Sequence, residues 1–198
     1  MSNTKTPLIE GHFYHIYNRG VNGTNLFIEE RNYPYFLQLW KKHIVPVAET
    51  YAYCLLKNHF HALVRIRDNY GDIPQSPKSK KTPAQQQFSN LFNAYSKSIN
   101  KAYTRTGRLF EEKYQRIWID TEDYFFNTVY YIHANLQHHG FTADFKAYPY
   151  SSYLGCVSTG KTELERVKLL ALFGGKAAFI AFHHRTKTDW EGFDFLEG

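Results

Sequence analysis

Two histidines with a single residue between them lie at the centre of the most strongly patterned segment of the chain, residues 51–66. The apolar and β-branched residues around His59 and His61 favour an extended strand, and turn-forming residues bound it at Asn58 and at 68–71. Because strand side chains alternate between faces, both imidazoles project to one side while Phe60 projects to the other. The pair is therefore either half of a metal site or two half-buried histidines that fill one face of a sheet.

Composition restricts the class of protein. With 198 residues, 43% hydrophobic and 21% charged, the chain is long enough for one domain with a core, or for a compact domain with an appendage. It has no run of about 18 apolar residues and no apolar signal segment near Met1, so we expect a soluble, cytoplasmic protein without a membrane partner. Cys54 and Cys156 lie far apart, which argues against a disulfide framework or a zinc ribbon.

The charge balance favours a nucleic-acid partner. The formal charge is +6, the pI is near 9.1, and 18% of the residues are aromatic. Cations bind phosphates, and flat rings stack on unpaired bases. Basic globular proteins that bind no nucleic acid share this composition, so it leaves both readings open.

The order of predicted elements is β-α-β-β-α-β-α. Strands are predicted at residues 11–19, 49–57, 59–67 and 108–120, and helices at 29–43, 82–103 and 121–140. This order predicts an α+β fold: a ferredoxin-like split βαβ antiparallel sheet with helices on one face, plus an additional tyrosine-bearing helix and a helical C-terminal tail. We expect a catalytic domain over 1–155 and a helical extension over 156–198, packed on or near it.

A basic loop is predicted between the third strand and the second long helix. Residues 68–83 include Gly71, three prolines, and Lys78, Lys80 and Lys81. The segment is too polar and broken for a regular element, so we expect a mobile loop that is either a solvated linker or a DNA contact.

The last long helix places a tyrosine and an amide on one face. Tyr131 and Asn135 are four residues apart, one helical turn, while His133 lies about 200° round the helix from Tyr131. A tyrosine hydroxyl is a competent nucleophile, and an amide oxygen can join two imidazoles around a divalent cation. The sequence therefore allows a phosphoryl-transfer centre. The alternative is a core aromatic and a polar residue near the helix end.

Several motifs, taken together and in order, resemble the HUH single-tyrosine transposases, of the insertion-sequence type and their REP-associated relatives. The resemblance covers residues 11–155 approximately. The matching segments are His59-Phe60-His61, Phe13 to Gly20, Arg105 to Tyr114, Tyr130 to Asn135 and Tyr148 to Tyr153.

The resemblance implies a chemistry. In that family a tyrosine attacks single-stranded DNA, often at the foot of a hairpin, and becomes joined to the 5′ phosphate while a 3′ hydroxyl leaves. By position, the nucleophile would be Tyr131, and His59, His61 and Asn135 would bind Mg²⁺ or Mn²⁺. Leu136 stands where the family commonly has Pro, and the Tyr-Ile-x-x-Asn spacing favours Tyr131 over its neighbour Tyr130.

Candidate DNA contacts and partners follow from the same features. The candidate DNA-binding residues are Arg19, Lys97, Lys101, Arg105, Arg108, Lys113, Arg116 and His138. The expected partner is single-stranded or hairpin DNA, bound by a monomer or a homodimer. Two other functions stay open: a catalytically silent nucleic-acid-binding module with structural histidines, and a metal hydrolase that uses water.

Overall fold

The computed structural model of the protein describes residues 6–69, 84–138, 142 and 144–184. Its centre is a four-stranded sheet in the order β2-β3-β1-β4, and each neighbouring pair is antiparallel. The strands are β1 (Phe13–Arg19), β2 (Ala48–Leu56), β3 (His59–Ile66) and β4 (Gln115–Ile119). The predicted α+β fold and ferredoxin-like sheet are confirmed.

Two long helices cover one face of the sheet. These two are α1 (Asn32–His43) and α2 (Ala84–Ala102). The helices that follow are α3 (Glu122–His138), α4 (Tyr153–Val157), α5 (Arg166–Leu172) and α6 (Lys176–Phe182). The apolar stripes of α1 and α2 are buried. Phe36 and Trp40 pack against Phe60 of β3, and Phe88 packs against Trp40. Because Phe60 enters this core, its neighbours His59 and His61 project to the opposite face.

Helix α3 covers that opposite face. Phe125 packs edge-on against Phe13 of β1 and Tyr51 of β2, with ring centroids 5.0 and 5.8 Å apart. Val129 and Ile132 are fully buried in the same core. The helix predicted after the last strand therefore lies directly over the face that carries the histidine pair.

The fourth strand is shorter than predicted, Gln115–Ile119 rather than 108–120. Leu109 and Phe110 are both buried in the α2 core, whereas consecutive strand residues point to opposite faces. Before β4 the chain therefore follows the end of β1 only through single contacts, including a backbone hydrogen bond from Glu111 N to Arg19 O of 2.9 Å. This irregular segment forms one wall of the hollows described below.

The C-terminal residues contact both β2 and α3. Leu164 bridges to Thr50 at the edge of β2, and Glu165 N donates to Thr50 O at 2.9 Å. On the α3 side, the ring of Phe173 lies 4.7 Å from that of Phe126. Helix α3 is thereby held between the sheet and the C-terminal helices. The division of the chain at residue 155 stays a prediction.

A buried carboxylate joins the C-terminal helices to the sheet. Glu49 of β2 accepts hydrogen bonds from Lys168 of α5 and from the hydroxyl of Tyr51. The guanidinium groups of Arg65 and Arg67 lie 3.7 and 3.6 Å from the same carboxylate. Burial raises the pKa of Glu49, but these cationic and hydroxyl partners outweigh it and leave the pKa below its ordinary value.

Within the described residues, no helix has both the length and the apolar character needed to cross a membrane. Most of the basic loop predicted at 68–83, namely 70–83, lies outside the described residues, as does the chain after His184.

Candidate active site

The register of the sheet sets the surface beneath α3. His61 of β3 pairs with Tyr17 of β1, and His59 pairs with Arg19. Residues paired across antiparallel strands project to the same face, so these four side chains form two adjacent rows. The Tyr17 and His61 rings stack with centroids 5.4 Å apart, which fixes the imidazole against the sheet.

Tyr131 of α3 meets the second histidine of the pair. Its ring lies edge-on to His61, with centroids 5.5 Å apart and planes at 87°. Tyr130 diverges from it, as the 100° step of a helix requires, and faces Phe145 and His183 on the C-terminal side. Of the two adjacent tyrosines, Tyr131 is thus the one that lies against the imidazoles.

Asn135 carries a buried amide without partners. Its side chain has no exposed surface, and neither Oδ1 nor Nδ2 has a hydrogen-bond partner among the described residues. A buried amide normally has one, so an unpaired amide calls for an explanation such as an ion or a water.

The path of α3 carries Asn135 towards the first histidine. Phe125 packs on Phe13, opposite Arg65, and Tyr131 reaches His61. The helix therefore advances along β3 towards His59. Asn135 is about 6 Å further along α3, and His59 is about 6.6 Å beyond His61 on β3.

The donor set suits a hard divalent cation. Two imidazoles and an amide oxygen offer nitrogen and oxygen donors without thiolate, which fits Mg²⁺ or Mn²⁺. Within the described part of the chain, no three His, Cys, Asp or Glu side chains are grouped to hold a metal. A third protein ligand at the His59–His61 pair would therefore have to be of another residue type, and Asn135 is the one that the sequence predicts.

A third histidine, His15 of β1, lies in the same cluster. Its Nε2 is 2.9 Å from Nδ1 of His61, and its ring is edge-on to Tyr131 with centroids 5.9 Å apart. Burial lowers the pKa of His15 to about 3, so the imidazole is neutral. Sequence reasoning missed this residue. Its only signal was the strand alternation around Tyr17, which indicates a neighbour of His61 only once the β1–β3 register is known.

His133 lies away from this cluster, as its position on the helix predicted. Its Nε2 is 2.7 Å from Ser152 Oγ, and its Nδ1 is 2.9 Å from Nε2 of His183. His183 in turn donates from Nδ1 to the carbonyl of Phe179 at 2.8 Å. Burial, reinforced by the neighbouring His183, holds the pKa of His133 well below its ordinary value. These contacts tie α3 to the C-terminal helices.

The structure groups five of the candidate DNA-binding cations around adjoining hollows. A hollow of about 580 Å³ between α2 and residues 107–114 includes Lys97 and Arg108. One of about 410 Å³ includes Tyr17, Arg19, Lys113 and Gln115. A third, of about 460 Å³, includes Lys113 and Arg116.

The remaining candidates lie elsewhere. Arg105 bonds to Asn100 Oδ1 at 3.2 Å, and neither it nor the exposed Lys101 lines these three hollows. The side chain of His138 is outside the described residues.

Comparison with solved structures finds a shared fold. The chain is similar to a REP-associated tyrosine transposase solved bound to a REP hairpin, with a TM-score of 0.56 and 18% sequence identity. The alignment covers 81% of this chain and 87% of that one. No protein-family model matches this chain, and no curated protein matches it. At this identity the likeness shows the fold, and the site geometry has to carry any argument about activity.

Proposed function

We propose that this protein is a metal-dependent transposase that cleaves and rejoins single-stranded, hairpin-associated DNA through a covalent 5′-phosphotyrosine intermediate. The observation that carries the proposal is the edge-on contact of Tyr131 with His61, which brings a nucleophile from α3 to a histidine pair on β3. The solved neighbour with the same fold, a tyrosine transposase bound to a REP hairpin, supports it.

Tyr131 supplies the nucleophile. Its phenol oxygen forms a bond to phosphorus as the bond from phosphorus to the 3′ oxygen breaks. The phenol loses its proton, and the departing oxygen takes one up to become a 3′ hydroxyl. Attack by a 3′ hydroxyl on the phosphotyrosine reverses these bond changes and rejoins a strand without an external energy source.

His59, His61 and Asn135 would hold Mg²⁺ or Mn²⁺. When bound, such a cation polarises an oxygen of the scissile phosphate and offsets the charge that develops on it. The three side chains come from two elements packed on one another, so the sheet and α3 together fix the position of the phosphate. We propose that Tyr131 and both histidines of the same copy act together.

The open end of the site suggests how DNA enters. His61, Tyr131 and Asn135 are buried, whereas His59 is only half-buried, and exposed Arg19 is its neighbour across the sheet. The hollow bounded by Arg19 and Lys113 lies beside Tyr17, which stacks on His61. A phosphate at the histidines would thus have Arg19 and Lys113 nearby, in a hollow that Glu111 and Glu112 also line.

The decisive experiment uses a hairpin oligonucleotide with a single-stranded tail, labelled at its 3′ end, because the tyrosine retains the 5′ phosphate of the downstream fragment. With Mn²⁺, the wild-type protein should form a labelled adduct that survives a denaturing gel, and EDTA should abolish it. Tyr131→Phe should bind the oligonucleotide but form no adduct. Tyr130→Phe is the matched control and should retain the adduct.

Other results identify the competing functions. An adduct undiminished in Tyr131→Phe would place the nucleophile elsewhere. Salt-sensitive binding that is indifferent to metal, without cleavage, would indicate a binding module with structural histidines. Cleavage that leaves a free 5′ phosphate and no adduct would indicate a hydrolase that uses water.

A further inference from the structure

Asn18 is a buried amide next to the candidate site. On β1 it lies between Tyr17 and Arg19, whose side chains project to the same face as the two histidines. Asn18 pairs with Phe60 across the sheet and therefore projects to the other face, towards α2. Only 4% of its surface is exposed. It lines both the hollow beside Tyr17 and the α2 hollow, which lies between α2 and residues 107–114.

A bulge in the segment before β4 lies beside Asn18. The last pair between β1 and β4 is Tyr17 with Gln115, and beyond it a backbone hydrogen bond joins Glu111 N to Arg19 O. One residue of β1, Asn18, therefore lies opposite three residues of the irregular segment. Bulges occur often next to active sites, where they redirect side chains. The hollows on the two faces of the sheet adjoin at this point, since Asn18 lines both.

The amide of Asn18 has a donor group that the described residues do not use. Its Oδ1 accepts from the backbone N–H of Arg19 at 2.8 Å, which fixes the orientation of the amide. Within the described part of the chain, Nδ2 donates to no acceptor. A buried amide normally has partners for its polar atoms. The two N–H groups of Nδ2 are therefore available to a ligand in the hollows that Asn18 lines.

The lining of the α2 hollow suits an uncharged, flat ligand. Among the described residues, its charged side chains are two cations and two acids: Lys97, Arg108, Glu111 and Glu112. Their formal charges cancel, so a phosphate would gain little there. The rings of Phe92 and Tyr114 also line it, with centroids 5.3 Å apart. A nucleobase offers a flat face for such rings and an edge with hydrogen-bond acceptors.

We infer that the α2 hollow receives one unpaired base of the bound DNA strand, and that Nδ2 of Asn18 donates a hydrogen bond to a carbonyl oxygen or ring nitrogen of that base. The inference rests on the proposed function, since it takes the DNA at the histidines to be single-stranded. Asn18 is then a residue that determines specificity. Because only its donor is available, a base that turned an amino group towards Asn18 would be disfavoured.

The first measurement locates the base. Hairpin oligonucleotides with a single-stranded tail of dA, dC, dG or dT are compared by fluorescence anisotropy, in EDTA so that no strand is cleaved. In the tail that binds most tightly, an abasic residue then replaces one nucleotide at a time. One position should lose about 5- to 150-fold in affinity, the range for one stacked base. A scan of the wild-type protein in which no position is sensitive would overturn the inference, whatever any variant does.

The second measurement assigns the sensitive position to Asn18. Asn18→Asp keeps the size of the side chain and the oxygen that accepts from Arg19 N–H, but it replaces the donor with a second acceptor. Its negative charge weakens binding of every oligonucleotide, so the quantity compared is the ratio of intact to abasic affinity within each protein. In Asn18→Asp this ratio should fall towards one at the sensitive position. Thermal unfolding identifies any loss of folding, and Asn18→Ala gives the same comparison if Asn18→Asp does not fold.

Asn90→Asp is the matched control, because it makes the same change of charge on α2 outside the three hollows. Its ratio should equal that of wild type. A ratio that is undiminished in the folded Asn18 variants, or that falls equally in Asn90→Asp, would overturn the inference. Failure of the proposed function looks different: the abasic pattern and its dependence on Asn18 would remain, while no covalent adduct forms with Mn²⁺.

Discussion

Tyr131 and His61 lie 70 positions apart in the chain and meet edge-on, with ring centroids 5.5 Å apart. One belongs to α3 and the other to β3, so the contact exists only because α3 packs on the face of the sheet opposite α1 and α2. Replacing one side chain where α3 meets β3 should therefore affect the candidate site without disturbing the core between the sheet and helices α1 and α2.

The unpaired amide of Asn135 predicts an unusual stability effect. Asn135→Leu removes two buried polar atoms that have no partner in the described part of the chain and replaces them with an apolar group of similar shape. The free energy of unfolding of the metal-free protein should rise by about 1 kcal/mol, while the Mn²⁺ affinity falls. Urea unfolding and calorimetry measure the two effects.

The control is Asn32→Leu, because Asn32 Oδ1 accepts from the backbone N–H of Ile28 and of Glu29 at 2.9 Å each. That variant should lose about 1–3 kcal/mol. A loss of equal size in Asn135→Leu would show that the Asn135 amide is satisfied within the fold.

The hollow beside Tyr17 predicts a salt-dependent DNA phenotype. Arg19→Ala and Lys113→Ala should each weaken binding of a single-stranded oligonucleotide. Each should also reduce the slope of log affinity against log salt concentration by about 0.7, the value for one lost phosphate contact. Fluorescence anisotropy over a salt series measures both. Lys176→Ala on α6 removes an exposed cation far from the hollow in sequence, and an equal change there would mean that the effect is only that of net charge.

The buried carboxylate of Glu49 predicts an acid-sensitive fold. Its pKa in the folded protein is below its ordinary value, so its partners stabilise the fold above the unfolded pKa, and this contribution is lost as pH falls through the folded pKa. Glu49→Gln should cost about 1–3 kcal/mol at pH 7, and the difference from wild type should shrink as the solution is acidified below about pH 4.

Urea unfolding at the two pH values tests this behaviour. Glu163→Gln is the matched control, because Glu163 pairs with Lys41 on the surface and should change stability by less than about 0.5 kcal/mol. A difference between Glu49→Gln and wild type that persists undiminished in acid would mean that the charge of Glu49 contributes nothing.

The hydroxyl of Ser152 should contribute to the stability of the packing between α3 and the C-terminal helices. The carbonyl of Phe179 accepts from His183, so His183 accepts from His133 Nδ1–H, and His133 Nε2 must accept from the hydroxyl of Ser152. The same oxygen accepts from Tyr53 N at 2.8 Å. Ser152→Ala would remove the hydrogen bonds to buried His133 and from half-buried Tyr53, and it should cost about 1–3 kcal/mol in urea unfolding. Exposed Ser158→Ala should stay within about 0.5 kcal/mol of wild type, and equal effects of the two changes would contradict this chain of hydrogen bonds.

Much of the fold could be predicted from local sequence patterns. The apolar stripes of α2 and the alternation around Phe60 are properties of short segments, so the order of elements and the common face of His59 and His61 could be predicted. The 100° step between adjacent helical residues likewise separated Tyr131 from Tyr130 and from His133. The chemical roles of these residues stay predictions.

Long-range relationships could not be read from the sequence. The place of His15 beside His61 depends on the register between β1 and β3, which periodicity does not reveal. The burial of Leu109 and Phe110, which shortens β4, depends on the position of α2. The packing of α5 includes the hydrogen bond from Lys168 to the carboxylate of Glu49, which lies more than 100 positions earlier in the chain.

Helix α3 has the sheet on one side and the C-terminal helices on the other. The position of Tyr131 relative to the histidines therefore depends partly on segments far from them. A random genetic screen for variants that lose the proposed activity would then recover substitutions at packing positions such as Phe179 and Glu49 as well as at the candidate site. Second-site suppressors of such lesions would map to the opposite layer, because a displaced helix can be returned to place from either side.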